Sequence, residues 1–149
     1  MSTRLAKESD IEALAAIEQQ QYGEEAYPKT FFYQALRTWS SGFWVVQRDG
    51  RVQGYALWVP QQQDQPNWLL MSVLIARSAQ GQGLGRVLLE ASMTSLQQRQ
   101  PSLHFELSVA PTNHAGIALY QSLGFQTIEE KFNYLGPDED RLIMVKNTQ

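Results

Sequence analysis

At 149 residues, with 43% hydrophobic and 18% charged residues and no cysteine, the chain reads as one globular domain, residues 1–149, that closes its core without disulfides. A net charge of −3 argues against non-specific attraction to nucleic acid or anionic lipid, and a cationic partner is easier to accommodate. No apolar run reaches the roughly 18 residues of a membrane span, and MSTRLAKESD has neither the basic start nor the apolar stretch of a signal peptide, so a cytoplasmic protein without thiol chemistry is expected.

In chain order, STRLAKES suits a short first strand. SDIEALAAIEQQQY follows as a helix whose Ile11, Leu14, Ala15 and Ile17 form one stripe, with Ser9 and Glu12 spaced as a capping box. PKTFFYQALRTWSS reads as a second helix, with Pro28 near its start and Gly42 beyond its end. FWVVQRDGRVQGYALWV is a hairpin, because Asp49-Gly50 between β-rich runs favours a type I′ turn. NWLLMSVLIA is a continuous apolar strand, expected to be covered on both faces. LGRVLLEASMTSLQQRQ is helical by period and Pro101 closes it. LHFELSV alternates as a strand, and NHAGIALYQSLG is a helix capped at its end by Gly124. FQTIEEKFNY and DRLIMVK read as two last strands joined by the polar turn LGPDED. The order β-α-α-β-β-β-α-β-α-β-β implies an α/β (α+β) fold with a mixed sheet and helices on both faces.

Between the apolar strand and the third helix lies SAQGQGLG, with glycines at 81, 83 and 85. Glycines before a helix start allow a phosphate to approach unpaired amides and the positive end of the helix dipole. A Walker loop is excluded, since no lysine occurs between Lys29 and Lys131. The dinucleotide pattern GxGxxG fails too: Arg86 stands at the third glycine counted from Gly81, and Leu88 counted from Gly83. What fits is QxxGxG, and from Gln80 to Gly85 the chain resembles the GCN5-related N-acetyltransferase (GNAT) family. NHAGIALYQSLGF, Asn113 to Phe125, resembles that family's second signature and follows at the expected distance. The resemblance is strongest to members that acetylate the N-terminal alanine of a ribosomal protein, and it includes the late pair Asn133-Tyr134.

The resemblance implies a GNAT fold: a mixed, mostly antiparallel central sheet of six to seven strands flanked by about four helices. It implies acetyl-coenzyme A as co-substrate, no metal, and transfer of acetyl to a primary amine, either a protein N-terminus or a small amine. Val73, Leu74 and Ile75 would lend main-chain groups to the pantetheine arm. Gly81, Gln82, Gly83, Leu84, Gly85 and Arg86 would cradle the diphosphate, and Asn113 would cap its helix and also meet the cofactor arm. Tyr120 falls on the family's general-acid position, suited to protonating the departing thiolate because a phenol stays protonated near neutral pH.

The base is less plainly coded. The ribosomal alanine acetyltransferases carry glutamate where this chain has Ser108, while Glu106, two residues earlier on the same side of its strand, is a candidate acting through water. His104, Glu106 and Ser108 form a polar stripe that suits a water-lined cleft or a structural hydrogen-bond network. Tyr22, Tyr27, Phe31 and Phe32 with Glu24 and Glu25 offer aromatics beside carboxylates to a cationic acceptor. Members acting on peptide termini typically read Pro-Trp-Ser where this chain reads Pro28-Lys29-Thr30. A non-catalytic coenzyme-A-binding sensor of the same fold, a nucleotide-phosphate binder and a homodimer stay open at this stage.

Overall fold

The computed structural model describes residues 1–62 and 64–147. Its elements are β1 (Ser2–Leu5), α1 (Ile11–Tyr22), α2 (Lys29–Thr38), β2 (Phe43–Arg48), β3 (Arg51–Gln61), β4 (Asn67–Ile75), α3 (Leu84–Arg99), β5 (His104–Val109), α4 (His114–Ser122), β6 (Gln126–Lys131) and β7 (Arg141–Lys146). This is the expected order of four helices and seven strands. The strands pair as β1-β2-β3-β4-β5-β7-β6; β1–β2, β2–β3, β5–β7 and β6–β7 are antiparallel, and β4–β5 is parallel. Two compact units share β4: residues 1–59 with 71–96, and residues 60–70 with 97–149.

In the first unit, β2 and β3 turn back through Asp49 and Gly50, both with positive φ (54° and 75°), as a type I′ turn requires. Above these strands Phe32, Phe43 and Tyr55 are fully buried and meet one another in tilted or edge-to-face contacts between 5.3 and 6.1 Å. Gly54 lets β3 approach β4 closely. A Cβ at that position would stand 2.5 Å from the Leu74 carbonyl oxygen and 3.1 Å from Ile75 Cα.

In the second unit, β5 buries Phe105, Leu107 and Val109, while Glu106 and Ser108 on the alternate side stay partly or fully exposed. The helix α4 starts at Asn113, whose Oδ1 accepts the Gly116 amide at 3.0 Å. A Cβ on Gly116 would fall 2.6 Å from Asn113 Nδ2, so the cap explains a glycine inside a helix. The same helix ends in a Schellman motif: Gly124, at φ 100°, donates to the Gln121 carbonyl, and Phe125 donates to that of Tyr120, each at 3.0 Å.

Three local expectations are corrected. Ser9 does not cap α1, because residues 8–10 form a 3-10 turn ahead of it, and the Asp10 carboxylate turns back to accept the Lys7 amide at 2.8 Å. The strand β4 is only partly covered: no residue of it is exposed, but most are half-buried. Only Asn67, Leu70 and Leu74 are buried along it, and its ladder with β5 stops after three pairs, at Leu69–Glu106. The segment from Gln126 does not stay extended to Tyr134: β6 ends at Lys131 because Asn133 takes φ 54°, its amide held by Asp140 Oδ1 at 2.8 Å.

Candidate active site

The expected site residues divide between the two units. On the first, β4 delivers Val73, Leu74 and Ile75 to a short 3-10 turn at Arg77–Ala79, after which the chain enters the glycine segment. Gln80 folds back to donate from Nε2 to the Ile75 carbonyl at 2.9 Å, tying the segment to the strand end. The Ala76 amide donates to the Gln53 carbonyl at 2.7 Å and anchors that end to β3.

Gly81 and Gly83 both lie in the left-handed region, at φ 78° and 80°, and a Cβ on either would meet no atom within 4 Å. Internal packing therefore does not select glycine there. The backbone conformation does, since an L side chain at such φ costs on the order of 1–2 kcal/mol. The segment also runs straight into α3. The Gly83 carbonyl accepts the Val87 amide at 3.2 Å, so Leu84, Gly85 and Arg86 occupy the first turn, where amides have no intrahelical acceptor. Positive-φ glycines, open space and first-turn amides make a cradle that fits a diphosphate.

Two cations stand by this cradle. Arg86 Nη1 lies 3.9 Å from Glu90 Oε1, a loose pair one helical turn apart on exposed side chains. The other is Arg48, at the end of β2, whose guanidinium donates to Gln82 Oε1 in the middle of the segment. Sequence reasoning missed Arg48. Its position 34 residues earlier carries no local signal, and only the hairpin brings it there.

On the second unit, Tyr120 is buried at 8% exposure in the last turn of α4 and meets the Phe125 ring edge to face at 6.1 Å. Glu106 Oε2 accepts from Gln61 Nε2 at 3.0 Å, and Gln61 Oε1 in turn accepts from Asn67 Nδ2. The polar stripe of β5 is thus partly a structural network. His104 is half-buried at the start of β5, with Nδ1 3.0 Å from Asn147 Oδ1.

The first unit also holds a buried carboxylate that the sequence reading did not single out. Glu18, 1% exposed in α1, accepts the Tyr27 amide at Oε1 (3.2 Å) and the Tyr55 hydroxyl at Oε2 (2.8 Å). Tyr55 OH lies 2.7 Å from Ser72 Oγ on β4. Burial, followed by the Glu18 charge, holds the Tyr22 and Tyr27 phenols above their ordinary pKa; for Tyr55 burial dominates, outweighing the lowering effect of Ser72. Among the described residues, no group of three or more His, Cys, Asp or Glu gathers to hold a metal ion.

The cradle before α3 defines a diphosphate-binding class of protein, and comparison gives the family. The sequence model of the acetyltransferase (GNAT) family matches residues 10–125, and the chain belongs to that family. It is 27% identical over 150 residues to an N-alpha-acetyltransferase of Sulfurisphaera tokodaii, covering 95% of this chain and 89% of the relative. A shorter match, 38% over 78 residues, joins half of the chain to 52% of the [ribosomal protein bS18]-alanine N-acetyltransferase of Escherichia coli K12. Among solved structures, the ribosomal-protein-alanine N-acetyltransferase of Brucella melitensis superposes with a TM-score of 0.86 at 28% identity, covering 99% of each chain. The protein is an acetyl-coenzyme-A-dependent N-acetyltransferase, which transfers acetyl to an amine. Among the described residues, no helix is long and apolar enough to cross a membrane.

Proposed function

We propose that the acceptor is the free α-amine of a protein or peptide, and that residues 1–149 act as one catalytic domain in the cytoplasm. The names of the Sulfurisphaera and Escherichia relatives support the acceptor class. The family match, which runs through residues of both units, supports a single domain. Use of acetyl-coenzyme A supports the compartment.

The observation that carries the reading is the pair of left-handed, unobstructed glycines ahead of α3. Gly81, Gln82, Gly83, Leu84, Gly85 and Arg86 would hold the diphosphate by main-chain amides, with Arg48 adding charge. Past the end of the β5 ladder, Val73, Leu74 and Ile75 would pair with the pantetheine arm as an added strand pairs with a sheet edge. Asn113, besides capping α4, would donate to the same arm. Bound acetyl-coenzyme A supplies an activated carbonyl and a thiolate leaving group.

An amide near Leu74 would polarise that carbonyl, and Tyr120 would give its proton to the departing sulfur. Glu106 keeps Oε1 beyond its bond with Gln61 and would act as the carboxylate that draws the acceptor's cationic end, directly or through water. Tyr27, Phe31, Glu24 and Glu25 would contact the acceptor's first residues. Thiol release from acetyl-coenzyme A, screened with free-N-terminus peptides, polyamines, amino acids and aminoglycosides, tests the reading. Turnover confined to peptides supports it, turnover only with small amines redirects the acceptor assignment, and no release with any amine contradicts it.

A further inference from the structure

Glu18, Tyr55 and Ser72 form a chain of hydrogen bonds from a nearly inaccessible carboxylate to a half-buried hydroxyl on β4. The donors are fixed by valence. Tyr55 has one hydroxyl proton and gives it to Glu18, so Ser72 must donate to the Tyr55 oxygen, and Ser72 Oγ keeps lone pairs for a further donor. Ser72 directly precedes Val73–Ile75 and lies on the same side of the strand as Leu74. At the other end, Glu18 holds the backbone of Tyr27, in the segment between α1 and α2.

We propose that this chain is the path by which the acceptor amine loses its proton, with Ser72 as the entry and Glu18 as the terminal acceptor. The inference rests on the amine-acetylating reading above. The acceptor ammonium, directly or through one water, passes a proton to Ser72 Oγ. As it does so, the Ser72 proton moves to the Tyr55 oxygen and the Tyr55 proton moves to Glu18 Oε2. An ammonium and a carboxylate become an amine and a carboxylic acid, and both hydroxyls are restored. After the acetylated product leaves, the same path returns the proton to water.

Other features of the chain agree with that role. Burial and the Glu18 charge keep Tyr55 protonated, so it relays a proton without ionising. The titratable groups that face Glu18 are the phenols of Tyr22, Tyr27 and Tyr55, and among the described residues it has no cationic partner within ion-pair distance. Its two donors, the Tyr27 amide and the Tyr55 hydroxyl, are both neutral.

The test uses the full chain with acetyl-coenzyme A and a peptide bearing a free N-terminal alanine, comparing native protein with Glu18→Gln, Tyr55→Phe and Ser72→Ala. The relay predicts kcat at neutral pH lowered about 100-fold in the first two variants. It predicts a deficit that closes as pH rises toward the pKa of the amine, with unchanged calorimetric affinity for acetyl-coenzyme A. It also predicts a curved dependence of native kcat on solvent deuterium content that becomes linear in Tyr55→Phe. A deficit constant across pH, native-like kinetics, or a loss of coenzyme affinity in all three variants assigns the network to packing and overturns the proposal. Native protein silent toward every amine instead sinks the acetyl-transfer reading itself, and this inference with it.

Discussion

The Phe125 amide donates to the Tyr120 carbonyl at 3.0 Å while the two rings meet edge to face at 6.1 Å, so the motif that ends α4 also fixes the ring of the proposed acid. Backbone and side chain are set by one device, because the residue after a left-handed glycine packs against the last helical turn. Tyr120→Phe preserves that ring contact and removes only the hydroxyl. The expected outcome is a kcat about 100-fold lower with calorimetric affinity for acetyl-coenzyme A within about twofold of native. Unchanged turnover would remove Tyr120 from the mechanism.

At Gly81 and Gly83, alanine meets no neighbour but must adopt φ near 80°. Each substitution should cost about 1 kcal/mol of stability, lowering Tm by roughly 2–4 °C for a chain of this size. The loss of coenzyme affinity should be larger than that stability change implies, because the amides are re-aimed. Thermal melts with and without acetyl-coenzyme A measure both quantities.

Gly54→Ala tests a different constraint. Its new Cβ would press the Leu74 carbonyl oxygen, a backbone atom that cannot rotate away. The two strands must separate locally, at a cost of about 1–3 kcal/mol. Since Leu74 belongs to the segment proposed to pair with pantetheine, affinity for acetyl-coenzyme A should fall together with the denaturation midpoint. A stable variant that binds normally would show that β4 tolerates displacement.

The Asp10 carboxyl is buried, which alone would raise its pKa, but two bonds from Arg4 at 2.8 and 2.9 Å and one from the Lys7 amide hold it below the usual carboxylate range. A depressed folded pKa contributes stability that is fully present above the unfolded value of about 4 and is lost as pH falls through the folded value. Urea midpoints of native protein should therefore drop more steeply below about pH 4 than those of Asp10→Asn. Parallel curves would remove Asp10 from the acid sensitivity.

Much of this was legible in the sequence because it is local. Apolar patterns with Pro and Gly punctuation gave the order of the α-helices and strands, Asp49-Gly50 announced its turn, and Asn113 and Gly124 marked the two ends of α4. The glycine loop was legible because a left-handed backbone demands a particular residue. What escaped depends on distant partners. Glu18 reads as one polar residue in an amphipathic helix until Tyr55 arrives 37 positions later, and Arg48 reads as a hairpin-end charge until it meets Gln82. The partial exposure of β4 was unreadable because it follows from a ladder that ends after Leu69, not from the strand's own apolar run.

The most direct measurement is a calorimetric comparison of acetyl-coenzyme A with S-acetylpantetheine, which carries the same thioester without the diphosphate. The intact coenzyme is expected to bind at least about tenfold more tightly, a margin of about 1.4 kcal/mol, and Gly83→Ala is expected to erase most of it. Equal binding of the two compounds, or a margin untouched by that substitution, would contradict the claim that the bare amides between Gly81 and Arg86 hold the phosphates.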